Sequence, residues 1–166
     1  IGENQWGRPD FDTTRSEAGE SLYQLKYQFD YSQVESLGEQ LYESLADYFS
    51  TASLIIPMPP SKSRTRQPVT EISRVLASKM GIPCCESLLV KTTNTPEMKD
   101  IKSPDEKVET LVSSFSVNDQ LGSGLYNILI VDDLYDSGSS LEAATKVLRN
   151  YDKIQNIYVA TVTRKR

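Results

Sequence analysis

The thirteen residues from Ile128 to Ser140, ILIVDDLYDSGSS, constrain this chain more than any other stretch. Four apolar residues in a row, Ile128 to Val131, are too few for a helix and read as a strand buried on both faces. Two carboxylates, Asp132 and Asp133, follow at its C-terminal end, where packing alone gives no reason for an acidic pair. A tight turn, Asp136-Ser137-Gly138-Ser139-Ser140, then opens a helix carrying Leu141, Ala144, Val147 and Leu148. A helix N-terminus presents free backbone N–H groups and a positive dipole end, which suit a phosphate. Gly138 allows close backbone approach, and the serine hydroxyls add donors. Carboxylates just upstream can accept hydrogen bonds from sugar hydroxyls. Phosphate and diol recognition thus sit side by side, as a ribose 5-phosphate group requires.

Other readings of the segment fit less well. Ser137 or Ser139 could simply cap the helix, but capping leaves the acidic pair without a role. With Gly138 at the sixth position of a calcium loop, Tyr135 and Ala144 fall where ligands are needed. A receiver domain would need a further Asp and Lys on later strands, and 33 residues follow Asp133. No Gly-Lys-Ser/Thr sequence is present, which removes the P-loop.

The rest of the chain supplies the frame. Residues 1–15, with Gly2, Gly7 and Pro9, show no periodicity and read as an extended arm. A short helix is expected from Glu17 to Lys26. A longer one is expected over 32–49, where Val34, Leu37, Leu41, Leu45 and Tyr48 recur at helical spacing behind Asp30 and Ser32 as caps. Leu54-Ile55-Ile56 is a buried strand stopped by Pro57, Pro59 and Pro60. A helix with Val69, Ile72, Val75, Leu76 and Met80 on one face ends at Gly81, and residues 82–91 read as a strand. Residues 92–102 have the composition of a mobile loop. Ser103-Pro104-Asp105-Glu106 starts a helix through Val108, Leu111 and Val112. Strands near 115–117 and over 154–163 and a helix over 139–150 complete the pattern, with a turn at Gly122 and Gly124. Alternation from residue 54 onward predicts an α/β fold, a parallel sheet flanked by helices. Such sheets bind ligands at the C-terminal ends of their strands, which singles out Met58 to Arg66 beside Leu134 to Ser140.

The first of these loops, within PMPPSKSRTR, carries Ser61, Lys62, Arg64 and Arg66 and no acid. Cations fixed there by prolines would neutralise a polyanion. The chain has no histidine, so Ser-His-Asp, Cys-His and His-metal mechanisms within it are excluded. Two adjacent cysteines, Cys84 and Cys85, make neither an ordinary disulfide nor a zinc set and fit a reducing, cytoplasmic setting. No apolar run approaches a membrane span. Net charge is −5, divided between −7 over residues 1–50 and +2 over the remainder, which disfavours duplex DNA as a partner. The chain opens on Ile rather than Met, as a fragment of a longer protein would.

Four apolar residues, two acids, two apolar residues and Asp-Ser-Gly-x-Ser resemble the phosphoribosyl pyrophosphate (PRPP) signature of type I phosphoribosyltransferases. A wider likeness over residues 18–166, through IIPMPPSKSRTRQP and LLVKTTNTPEMKDIKSPDEKVE, resembles the ComF-type, competence-associated branch. That branch differs in carrying a cysteine-rich zinc ribbon, and Arg-Gly-Phe-Asn-Gln where this chain has Arg66 to Thr70. The resemblance implies that Asp132 and Asp133 hold the ribose, that Asp136, Ser137, Gly138, Ser139 and Ser140 hold the 5′-phosphate, and that Asp136 has an acid/base or base-contacting role. It implies that Ser61, Lys62, Arg64 and Arg66 bind pyrophosphate, with Mg²⁺ held through PRPP rather than by the protein directly. Residues 88–115 match the family's flexible loop, whose candidate phosphate contacts are Lys91, Lys99 and Lys102.

On this likeness, residues 16–166 form one domain, with a helical hood over 16–50 and an α/β core over 51–166. The implied activity moves ribose 5-phosphate from PRPP to a nitrogen acceptor. The alternative is a non-catalytic PRPP- or nucleotide-binding regulator or adaptor, linked to DNA uptake or processing. The acceptor has no readable motif, although Tyr23, Tyr27, Phe29 and Tyr31 of the hood are suited to stack on a base. A homodimer is compatible with the sequence, which does not specify assembly.

Overall fold

A computed structural model describes residues 2–3, 9–10, 15–92 and 103–165. Two-residue strands β1 (Gly2–Glu3) and β2 (Pro9–Asp10) pair antiparallel within the N-terminal arm. Helices α1 (Glu17–Tyr27) and α2 (Gln33–Leu45) follow. Ser16 caps α1, its Oγ accepting from the Gly19 N–H at 3.1 Å. Asp30, rather than Ser32, holds the turn into α2, accepting from the Ser32 N–H at 3.2 Å and from the Gln33 side chain at 2.9 Å. The helix stops at Leu45, four residues before the expected end. Tyr48, counted in its apolar face, is 80% exposed and lies in a run of turns, while Phe49 packs on Tyr158 with ring centroids 5.3 Å apart.

The remaining elements are β3 (Leu54–Pro57), α3 (Pro68–Met80), β4 (Leu89–Lys91), α4 (Pro104–Ser114), β5 (Phe115–Val117), β6 (Tyr126–Tyr135), α5 (Ser139–Arg149) and β7 (Ile154–Arg164). Strands β3, β6 and β7 form a parallel sheet with β6 in the centre. Ile55 extends it by a parallel bridge to Cys84. The fold is α/β, a parallel sheet between helices, as expected. Along β6 the side chains alternate between two cores. Ile128 and Ile130 face a cluster with Leu111, Leu141, Ala144 and Leu148 of α4 and α5. Leu129 and Val131 face Leu25, Leu37, Leu41, Ile72 and Leu76 of α1, α2 and α3. Among the described residues, no helix is long and apolar enough to cross a membrane.

Residues 82–91 do not form the single strand expected of them. The chain touches the main sheet at Cys84, where Ile55 N–H donates to Pro83 at 2.9 Å and Cys85 N–H to Ile55 at 2.8 Å. It then turns, with Glu86 gripped by Arg74 at 2.7 Å and the Ser87 carbonyl accepting from the Asn118 side chain at 3.0 Å. Only Leu89–Lys91 becomes a strand, and it pairs antiparallel with β5 in a separate two-stranded sheet. The expected start of α4 holds: Ser103 Oγ accepts from the Glu106 N–H at 3.2 Å, with Pro104 in the first turn.

Candidate functional site

Strand β6 is longer than its apolar run. It continues through Asp132 and Asp133 to Tyr135, paired with β7 as far as Arg164. On the other side β3 ends at Pro57, opposite Val131, and the Met58 N–H makes the last link to the Val131 carbonyl at 2.8 Å. The acids therefore stand within a strand that has lost one neighbour, and a notch opens beside them. A cavity of about 270 Å³ fills that notch, near the lower end of the range for small-ligand sites. Its wall joins Asp132 and Asp133 to Ser61, Lys62 and Arg64 of the basic loop, to the first turn of α3, and to Lys26 and Tyr27 of α1.

Residues 58–66 are positioned at both ends. Proline geometry fixes the exit from β3. The Gln67 side chain donates to the Lys62 and Arg64 carbonyls at 3.2 and 3.3 Å, drawing the loop against the start of α3. Pro68 begins that helix, and Val69 and Thr70 of its first turn line the cavity. The positive end of the helix dipole thus adds to Lys62 and Arg64 in the wall of the cavity. Arg66, expected in the same group, is engaged elsewhere. Its guanidinium bonds Glu71, which raises its pKa, and lies 3.6 Å from the Tyr31 ring centroid.

The acidic end is electrically compensated. Asp133 shares its side of the sheet with Leu129 and Val131, the side on which α1 packs, and there Lys26 Nζ donates to Asp133 Oδ2 at 2.5 Å. Asp132 accepts from the Asp133 backbone N–H at 2.8 Å. Burial, reinforced by the neighbouring Asp133 charge, pushes the Asp132 carboxyl up to about 7. Near neutral pH the Asp132 carboxyl is therefore poised to take up or release a proton, a property suited to hydroxyl recognition and proton transfer.

The turn at 136–140 lies beyond the acids, outside the wall of that cavity. Gly138 sits at φ +79°, and a Cβ there would come within 2.8 Å of the Tyr135 hydroxyl, so glycine is required both by conformation and by space. Ser139 is buried as the first residue of α5 and exchanges a hydrogen bond with Ser137 at 3.0 Å. Two cations approach this turn. Lys107 Nζ of α4 is 3.5 Å from Ser137 Oγ, and Lys165 Nζ is 3.6 Å from Asp136. Lys91 lies on β4, while Lys99 and Lys102 fall outside the described residues.

Lys26, Gln67 and Lys107 are contributors that the sequence reading missed. Lys26 alone left a signal, because it lies four residues after the buried Leu22 and so on the inward face of α1. Burial pushes the Cys84 thiol up to about 12, which leaves it no nucleophilic role at neutral pH. Among the described residues no cluster of three or more His, Cys, Asp or Glu side chains could hold a metal ion.

Several solved structures share this architecture. An adenine phosphoribosyltransferase matches with a TM-score of 0.56 at 17% identity, over 83% of this chain and 73% of that one. A Helicobacter pylori xanthine-guanine-hypoxanthine phosphoribosyltransferase matches with a TM-score of 0.52 at 15% identity, over 82% and 77% of the two chains. A Neisseria gonorrhoeae protein with bound ppGpp matches with a TM-score of 0.50 at 17% identity, over 82% and 69%. No protein-family model and no curated protein sequence matches the chain. At these identities the likeness is one of fold, and the fold is that of the phosphoribosyltransferases.

Proposed function

We propose that this chain binds PRPP and transfers its ribose 5-phosphate to a nitrogen acceptor, releasing pyrophosphate. The observation that carries this reading is the convergence of two sequence-distant segments on one cavity, the basic loop after β3 and the carboxylates of β6. In this reading Asp132 and Asp133 accept hydrogen bonds from the ribose hydroxyls. Lys62, Arg64 and the first turn of α3 hold the pyrophosphate. The turn at 136–140, with Lys107 beside it, takes the 5′-phosphate. The acceptor nitrogen forms a bond to the anomeric carbon as the bond to pyrophosphate breaks, and pyrophosphate leaves with that electron pair. The acceptor's proton passes to solvent or to a carboxylate of the acidic pair. Catalysis then rests on positioning and on charge placed where the leaving group develops its own.

The two carboxylates are too few to hold a metal alone, and they fit an ion carried in on the pyrophosphate oxygens. Such a Mg²⁺ would neutralise the leaving group when bound. Placement within the ComF-type branch, a single hooded domain and a cytoplasmic location belong to the same proposal and rest on the sequence likeness. A regulator that binds PRPP or a nucleotide without turnover is the second reading. It is favoured by the Neisseria gonorrhoeae protein, which has this fold and holds ppGpp. Incubation with PRPP, Mg²⁺ and a panel of bases and amines separates the two. Pyrophosphate release with one acceptor is the expected result. Binding of PRPP without release across the panel would favour the regulator.

A further inference from the structure

Cations reach the cavity from two directions. Lys62 and Arg64 line it from the basic loop, whereas Lys26 comes from α1 and touches the acids themselves. Lys26 Nζ lies 2.5 Å from Asp133 Oδ2, and the two side chains are only 23% and 17% exposed. Among the described residues no other cation pairs with Asp132 or Asp133.

This contact leaves part of the pair open to a ligand. Asp132 Oδ1 takes the Asp133 N–H, and Lys26 takes Asp133 Oδ2. Asp133 Oδ1 accepts no hydrogen bond among the described residues, and Asp133 lines the cavity. A hydroxyl can therefore donate to Oδ1 with the ammonium still in place.

Packing does not require a charge at this position. Leu22 and Leu25 already bury α1 against the core, at 7% and 1% exposure. A partly buried ion pair adds little stability that an apolar side chain would not supply. The Lys26 ammonium is a point charge on a flexible four-carbon stem, so it can leave Asp133 while the helix stays fixed. A divalent ion arriving on pyrophosphate oxygens would draw on the same negative charge. In a site this sheltered, water screens the repulsion between the two cations only in part. They cannot both hold Asp133 at full strength.

We infer that Lys26 stands in for the divalent ion at the acidic pair, compensating Asp133 in the metal-free site and giving way when substrate brings the ion. The inference rests on the reading above in taking that substrate to be PRPP carrying Mg²⁺. Lys26 is thus a positioning residue, which holds the Asp133 carboxylate in place for the ribose. The site then recognises PRPP with the metal or without it, and the metal adds little to affinity.

The test is calorimetric titration of PRPP into the whole chain, once with Mg²⁺ and once with EDTA. The quantity read is the ratio of the two affinities. In the wild type, Mg²⁺ is expected to tighten binding less than about tenfold. Lys26→Met leaves Asp133 uncompensated, so metal-free affinity should fall and the ratio should rise at least about tenfold above the wild type's. Lys26→Gln, also uncharged, should do the same and guards against a folding defect in one variant. Lys26→Arg keeps the charge and should hold the ratio within about threefold of the wild type's. A merely structural role would lower Tm and weaken both titrations alike. A ratio unchanged in Lys26→Met and Lys26→Gln would therefore overturn the inference and leave the reading above standing. So would a wild type that binds PRPP only with Mg²⁺, or a Lys26→Arg ratio as high as that of Lys26→Met. A wild type that binds no PRPP under either condition would overturn that reading, and this inference with it.

Discussion

Asp132 carries the chemistry at the residue scale. Its carboxyl is pushed up to about 7, first by burial and then by Asp133, from an unfolded value near 3.8. A carboxyl raised in the folded state leaves stability intact below pH 4 and erodes it as pH rises through 7. Asp132→Asn removes that erosion without removing the acceptor for the Asp133 N–H. The variant should therefore gain on wild type progressively between pH 4 and pH 8. The gain at pH 8 should be on the order of 1–2 kcal/mol, below the full value of the shift because the pair is partly wet. Thermal melts across that range check it, and a pH-independent gap would refute it. Carboxyl NMR titration adds a second arm. Lys26 holds the Asp132 value down, so Lys26→Met should move the Asp132 midpoint above about 7. An unmoved midpoint would remove Lys26 from the site. Nothing in the sequence pairs Lys26 with Asp133, 107 positions away. Side-chain parity along β6 shows in retrospect which acid faces α1.

At the element scale, the site depends on how closely α2 packs on α3, the helix whose first turn lines the cavity. Gly38 of α2 is buried, and a Cβ there would overlap the Val75 side chain of α3. Gly38→Ala should cost about 2 kcal/mol by overpacking, and Val75→Ala in the same chain should recover part of it. Denaturant melts of the single and double variants check this. Additive losses would mean that the helices do not meet there. Elements with local signals were legible in the sequence. The Ser103 cap, the Gly81 stop and the apolar run of β6 each depend on neighbours a few residues apart. Residues 82–91 were misread because their partners are distant: Arg74 and Asn118 bend the segment away from the sheet after Cys84. The extension of β6 past Val131 was hidden for a similar reason. Only pairing with β7 keeps Asp132 and Asp133 extended beyond the end of β3.

Across the whole molecule, the cavity lies where α1 meets the open corner of the sheet. The parallel sheet could be anticipated from alternation alone, and the two ligand loops from the rule that strand ends carry sites. The meeting of the first loop with Asp132 and Asp133 at one cavity required the packing of α1 against α2 and β7. The acidic balance of residues 1–50 does not extend into the cavity, since α1 contributes Lys26 there. The most direct test is calorimetric titration of PRPP with Mg²⁺ into the wild-type chain and into Asp132→Asn/Asp133→Asn. Saturable binding to the wild type, lost in the double variant at matched folded content, is the predicted result. Unchanged affinity in the double variant would contradict the assignment of these carboxylates to the ribose, and with it the proposed function.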